Sequence, residues 1–325
     1  MEQRTRRVQT APGIELDVID AGTPGDPVIV LAHGWPESSH SWRHQIDPLV
    51  GAGWRVLVPD QRGYGSSSAP LEVEAYRSDL LSADLIALLD DVGADTATFV
   101  GHDWGALVVW DLARLHPDRV AGLINVSVPY TPWPMKPTDL FRAMYEDRFF
   151  YMLYFQTVGP AEDELDADVE HSMRTVMWIA SGEMSRTPGA PADLPPMAGT
   201  GLLDAWALGQ DIPDGLPEWL EEADFQRYVE QFTESGFFGP ISWYRNLDAD
   251  WELTKDLPAP AMPSAFIGGS RDMVIAHRMD SVESMATALP DYRGHWIIDG
   301  PGHWTQQEAP AAFNAALLQA LDAVR

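Results

Sequence analysis

The stretch Gly101-His102-Asp103-Trp104-Gly105 decides how this chain is read. It follows the apolar run Thr96-Ala97-Thr98-Phe99-Val100 and leads into Ala106-Leu107-Val108, the opening of a helix-like stretch that reaches His116. A strand, a turn with glycines two before and two after its central residue, and a helix make a nucleophile elbow. The glycines permit the tight, strained turn. The usual elbow carries serine, whereas this one carries Asp103, a carboxylate ionised at neutral pH without a base and favoured by the helix dipole. Such a group is a weak nucleophile, suited to displacing a leaving group from saturated carbon. The product is an alkyl ester that water cleaves at the aspartyl carbonyl. A serine esterase is excluded by the same residue. The bland alternative is that Asp103 only caps the helix.

Working outward, short runs apolar on both faces alternate with helical stretches through the first 126 residues. Pro27 to Leu31, Arg55 to Val58, Thr96 to Val100 and Val120 to Ile124 read as strands, with helices such as Ser78 to Val92 and Ala106 to His116 between them. Doubly buried strands joined by crossover helices are what a parallel α/β sheet requires. The alternation resumes with Ala265-Phe266-Ile267, His295 to Ile298 and a closing helix from Pro310 to Leu321. The middle lacks strand-like runs and is rich in aromatic residues, so it reads as a mostly helical insertion. The expected division is a core of residues 1–129 and 251–325 with a helical cap of residues 130–250. Within the cap, Thr187 to Pro196 is Pro/Gly-rich and reads as a loop. The acidic run Glu162 to Glu170 reads as a solvated helix face rather than a metal site.

Composition narrows the functions. The chain has 325 residues, is 45% apolar and 22% charged, and so has the make-up of a soluble globular protein with a sizeable core. A net charge of −28 disfavours nucleic acid and anionic membrane surfaces as partners. The absence of cysteine removes disulfides, thiolate metal sites and cysteine nucleophiles, and fits a reducing compartment. No secretory signal and no run of roughly 18 apolar residues is visible, so the expected location is cytoplasmic.

The remaining chemistry follows the elbow. Sheets of this kind carry nucleophile, acid and histidine in that chain order. His303, in the turn after the last strand, has the order and position to act as base for water. Asp272, after the strand Ala265-Phe266-Ile267, is the residue to orient it. The loop Asn125-Val126-Ser127-Val128-Pro129 offers no carboxylate and so no competing acid. The early loop His33-Gly34-Trp35-Pro36 and the residue after the nucleophile supply oxyanion-hole amides, which assigns the backbone N–H groups of Trp35 and Trp104. Both indoles remain free to line a pocket. His33 and His102 are the histidines placed to support the site.

These motifs, with Asp60-Gln61-Arg62-Gly63-Tyr64-Gly65, resemble those of the soluble epoxide hydrolases of the α/β-hydrolase fold, over nearly the whole chain from about Gly13. The loop and the elbow are shared with haloalkane dehalogenases, so the cap decides between the two. The resemblance implies two cap tyrosines that hydrogen-bond the epoxide oxygen. One lies in Tyr151-Met152-Leu153-Tyr154-Phe155-Gln156, where the family pattern favours Tyr151 over Tyr154; the other is Tyr244 in Trp243-Tyr244-Arg245-Asn246. A phenol can protonate the alkoxide of an opening epoxide, whereas a halide needs no proton. The resemblance thus implies hydrolysis of an apolar epoxide to a vicinal diol, with no metal or organic cofactor and with dimerisation through the cap as a family habit. A dehalogenase, with Trp35 and Trp104 holding halide, and a non-catalytic binding protein on the same fold remain as alternatives.

Overall fold

The computed structural model describes residues 3–184, 194–207, 211–276 and 279–325. Its centre is one eight-stranded sheet: β1 (Gln3–Ala11), β2 (Ile14–Ala21), β3 (Val28–Ala32), β4 (Arg55–Pro59), β5 (Ala97–His102), β6 (Val120–Val126), β7 (Ser264–Gly269) and β8 (Tyr292–Ile298). The strand order is β1-β2-β4-β3-β5-β6-β7-β8, parallel from β4 to β8, with β1 and β2 antiparallel at one edge. This is the α/β-hydrolase architecture. Side chains alternate across the strands, so Ile29, Leu31, Val56, Val58, Val100 and Ile124 pack on one face beneath the helix Pro310–Val324. Val30, Leu57, Phe99 and Leu123 pack on the other, with the helices Ser78–Val92 and Trp104–Leu115. Burial on both faces is why these strands read as continuous apolar runs.

The β1–β2 hairpin escapes a search for such runs. β2 alternates polar and apolar residues and β1 is polar but for Val8 and Ala11, as a half-exposed edge allows. The hairpin is fastened by charge instead, with Asp20 receiving Arg6 at 2.9 Å and Arg55 of β4 at 2.8 Å. The elbow helix also begins at Trp104, two residues earlier than the apolar pattern suggests.

Between β6 and β7 the chain leaves the sheet for a helical excursion that includes Pro137–Tyr145, Tyr151–Tyr154, Pro160–Ala167, Val169–Ile179, Glu222–Ser235, Phe238–Arg245 and Leu247–Thr254. The expected cap boundary at residue 250 falls inside the last of these helices. Residues 187–193 of the Pro/Gly-rich stretch lie outside the described residues. The chain beyond them returns to Phe149, whose N–H donates to Pro195 O at 2.7 Å.

The acidic run corrects the sequence reading. Asp163, Asp168 and Glu170 are exposed, but Glu162 is buried against Arg245 at 2.6 Å. Glu164 accepts the N–H groups of Leu202 and Leu203, both at 2.8 Å. Two of these carboxylates therefore brace the helical region rather than solvate it. Among the described residues no helix is long and apolar enough to cross a membrane.

Candidate active site

Strand register brings five loops together at the carboxyl ends of the sheet, where open α/β sheets bind ligands. Ala32 pairs with Gly101, His102 with Val126, Val126 with Ile267 and Gly269 with Ile298. The residues just beyond those pairs are Trp35, Asp103, Ser127, Asp272 and His303.

Asp103 sits at φ +51° and ψ −117°, a strained conformation for a residue with a side chain. A Cβ on Gly105 would press on the carbonyls of Ala32 and His33, and one on Gly101 would lie 2.7 Å from Val109. Those glycines let strand and helix close to the distance that holds the turn. Asp103 makes no side-chain cap to its helix. Its Oδ1 accepts the Trp35 N–H at 2.8 Å, and its Oδ2 lies 3.6 Å from His303 Nε2, a charge contact longer than a hydrogen bond.

His303 is buried and has two neighbours at Nδ1. Asp272 Oδ1 lies at 3.2 Å and Ser127 Oγ at 2.9 Å. A ring nitrogen facing a carboxylate carries the proton, so Ser127 is the second acceptor of that N–H. Asp272 is fully buried; its Oδ1 also accepts Val274 N–H at 2.8 Å, while its Oδ2 has no hydrogen-bond partner among the described residues. Burial alone would lower the His303 pKa, but the Asp272 and Asp103 carboxylates outweigh it and hold the imidazole well above its usual value. Burial likewise opposes the ionised form of Asp103, and the contact with His303, the charge of His102 and the Trp35 N–H prevail and hold its pKa below the usual carboxylate value. Nε2 is left facing the Asp103 carboxylate, the geometry a base for ester cleavage needs.

Two supporting contacts were not read from sequence. Ser127 carries no sequence signal of its own, since a serine in a loop without a carboxylate matches no member of the triad; its φ of +72° marks a strained residue at a strand end. Glu37, directly after His33-Gly34-Trp35-Pro36, is fully buried and pairs with His102 Nδ1 at 2.8 Å, while His102 Nε2 meets His303 O at 2.9 Å. The other expected supporting histidine, His33, accepts Gln61 N–H at 3.0 Å, which ties the Asp60-to-Gly65 motif under the Trp35 loop.

The helical excursion closes the site with aromatic rings. Tyr244, on Phe238–Arg245, is buried with its ring 4.8 Å from Trp104 and 6.2 Å from Trp35. Tyr151 opens its own short helix, and its ring lies 5.8 Å from that of Tyr244. Tyr154 donates to Glu164 at 3.2 Å, so of the two candidates it is Tyr151 whose ring neighbours that of Tyr244. Gln156 donates to Tyr244 O at 2.9 Å and Arg245 to Phe155 O at 2.8 Å, which stitches the two tyrosine-bearing segments together. Asn246 donates to Val73 O at 2.7 Å and anchors them to the core. Burial, then the neighbouring Tyr151 and Asp103, push the Tyr244 pKa well above its usual value, so this phenol stays a proton donor.

Comparison with known proteins agrees with this architecture. A family model described as the alpha/beta hydrolase fold matches residues 27–166. Over 320 residues the chain is 45% identical to epoxide hydrolase A of Mycobacterium tuberculosis, an alignment covering 98% of this chain and 97% of that one. It is 37% identical over 358 residues to epoxide hydrolase B of the same organism, covering 99% of each. The crystal structure of epoxide hydrolase A from Mycobacterium thermoresistibile matches with a TM-score of 0.89 at 43% identity, covering 100% of this chain and 99% of that one. An epoxide hydrolase from an endophytic Streptomyces matches with a TM-score of 0.90 at 37% identity, covering 98% and 95% of the two chains.

Proposed function

The chain belongs to the epoxide hydrolases of the α/β-hydrolase fold, and we propose that it converts an apolar epoxide and water to a vicinal diol through an alkyl ester on Asp103. One observation carries the proposal. The Asp103 carboxylate leaves its helix uncapped to face the Trp35 N–H and His303, and Tyr244 packs against the rings of Trp35 and Trp104 beside it, with Tyr151 next to Tyr244. The apolar character of the substrate follows from the ring-lined walls of Trp35, Trp104, Phe155 and Trp206.

In the first half, Asp103 Oδ2 attacks a ring carbon and the C–O bond breaks. The oxygen that leaves takes a proton through the tyrosine pair, help of a kind worth ~10²–10⁴ in rate. Charge accounting then explains the handover to the second half. Before reaction, the two carboxylates hold a proton on His303. Esterification neutralises Asp103 and removes one of them, so the imidazole is released as a base when an ester exists to be cleaved. The proton it gives up balances the one gained by the new hydroxyl. His303, oriented by Asp272, then deprotonates a water that adds to the aspartyl carbonyl. The oxyanion forms on Oδ1, which already accepts Trp35 N–H and which the Trp104 backbone N–H joins in the tetrahedral intermediate. Collapse frees the diol and restores the carboxylate and the imidazolium.

The test is parallel product detection with purified enzyme and an Asp103→Ala control. Diol from aryl and aliphatic epoxides, without halide from haloalkanes and absent in the control, is the expected result. Halide without diol would overturn the reading and assign the two indoles to a halide site.

A further inference from the structure

The loops that bear His303 and Asp272 do not hold themselves. Glu308, largely buried on the short helix Thr305–Glu308, accepts three backbone N–H groups: Gly302 at 3.0 Å, Trp304 at 3.1 Å and Gly182 at 2.9 Å. The first two flank His303. The third belongs to the helical excursion. His303 itself donates its backbone N–H to Ala180 O at 2.9 Å, and the Trp304 indole donates to Met177 O at 3.0 Å. Arg271, the neighbour of Asp272, donates its side chain to Gly182 O at 3.2 Å and its backbone N–H to Pro301 O at 3.0 Å. The two backbones meet without side chains between them, since a Cβ on Gly182 would lie 2.6 Å from Gly302 N. Burial raises the Glu308 pKa and the three N–H groups pull it back, as expected of a carboxylate serving as a buried anchor. No residue of the proposed chemistry accounts for this arrangement.

We infer that Glu308 is a positioning residue: with Ala180–Gly182 and Arg271 it clamps the base and acid loops onto the helical region, which thereby governs ester hydrolysis. This rests on the two-step reading above. A charge-assisted acceptor shared by three donors resists small displacements of all three, and misplacing a catalytic group by about 1 Å can cost up to ~100-fold. Glu308→Gln keeps the shape but replaces one oxygen by an NH2 group that confronts a backbone donor. Ring opening needs Asp103 and the tyrosines, none of which touches the clamp, so only the second step should suffer.

The experiment follows both steps by single-turnover kinetics with an epoxide turned over by the wild type, together with amide hydrogen exchange. In Glu308→Gln, ring opening should stay within about 3-fold of wild type while ester hydrolysis slows by ~10–100-fold, so that an enzyme adduct of the epoxide's mass accumulates. Exchange should rise at Gly182, Gly302 and Trp304 together. Gly182→Ala, which forces the same backbones apart while leaving the carboxylate, should show the same split and carries the test if Glu308→Gln does not fold. Wild-type rates in both steps, or an equal loss in both, would overturn the clamp. If the wild type formed no diol the two-step reading would fall, and unchanged exchange in the variants would still count against the clamp separately.

Discussion

The elbow and the base–acid loops meet at one carboxylate, yet they are built in opposite ways. The elbow backbone is one contiguous stretch, residues 97–115, with a buried strand, a strained aspartate, two glycines and an apolar helix, and distant chain enters it through the Trp35 N–H and the close approach of Ala32 and His33 to Gly105. The loops of His303 and Asp272 depend on distant chain, with Gly182 and Glu308 meeting across 126 residues. In the proposed mechanism the locally built half carries the attack on the substrate. In that mechanism the half assembled from far apart carries the release of product, and the helical region enters both, through the tyrosines in the first and through Gly182 in the second.

The sharpest way to break this comparison is His303→Gln. Ester hydrolysis should fall on the order of 10³–10⁴-fold while ring opening persists, giving a stable alkyl-enzyme by intact-mass analysis. No adduct from an epoxide that the wild type consumes would remove the division into halves. Replacing both tyrosines, Tyr151→Phe with Tyr244→Phe, should slow ring opening by ~10²–10⁴-fold and leave hydrolysis of a preformed ester nearly unchanged in quench-flow measurements. Slowing of both steps would place the tyrosines in the second half as well.

A stability experiment probes the elbow itself. Gly105→Ala drives a methyl group into the carbonyls of Ala32 and His33 and should destabilise the fold by about 1–3 kcal/mol in urea melts. A neutral result would mean that the turn does not need its close approach.

The pH dependence separates the halves by sign. The carboxylate pair raises the His303 pKa in the free enzyme, and in the proposed mechanism esterification removes one of the pair. The rate of ester hydrolysis should therefore rise with pH through a lower midpoint than the one at which His303 of the free enzyme loses its proton by NMR titration. Coincident midpoints would contradict the charge handover. The smallest expected effect is that of Ser127→Gly, which removes one acceptor from the imidazole while φ +72° suits glycine. Ester hydrolysis should slow by about 2–10-fold with ring opening intact, the size of one neutral hydrogen bond.

Most of the fold was legible because its strands are buried on both faces and its turns carry glycine at fixed offsets. Parallel order, the elbow and the helical excursion between β6 and β7 all follow from that pattern. The β1–β2 edge was not, since a half-exposed strand held by Arg6, Arg55 and Asp20 shows neither an apolar run nor a motif. In the candidate site, chain order and residue type single out Asp103, Asp272 and His303, which the structure brings together. They do not single out Ser127 and Glu308, because a serine or a glutamate gains such a position only from what register and packing bring beside it. The sequence by itself thus determined the residue types at the strand ends and the local backbone that presents Asp103. Tertiary structure decided which of Tyr151 and Tyr154 packs against Tyr244, whether Asp103 caps its helix or turns to His303, and what holds the His303 loop in place. Those choices depend on contacts between residues far apart in the chain, and such contacts exist only once the sheet register and the helical region have closed around them.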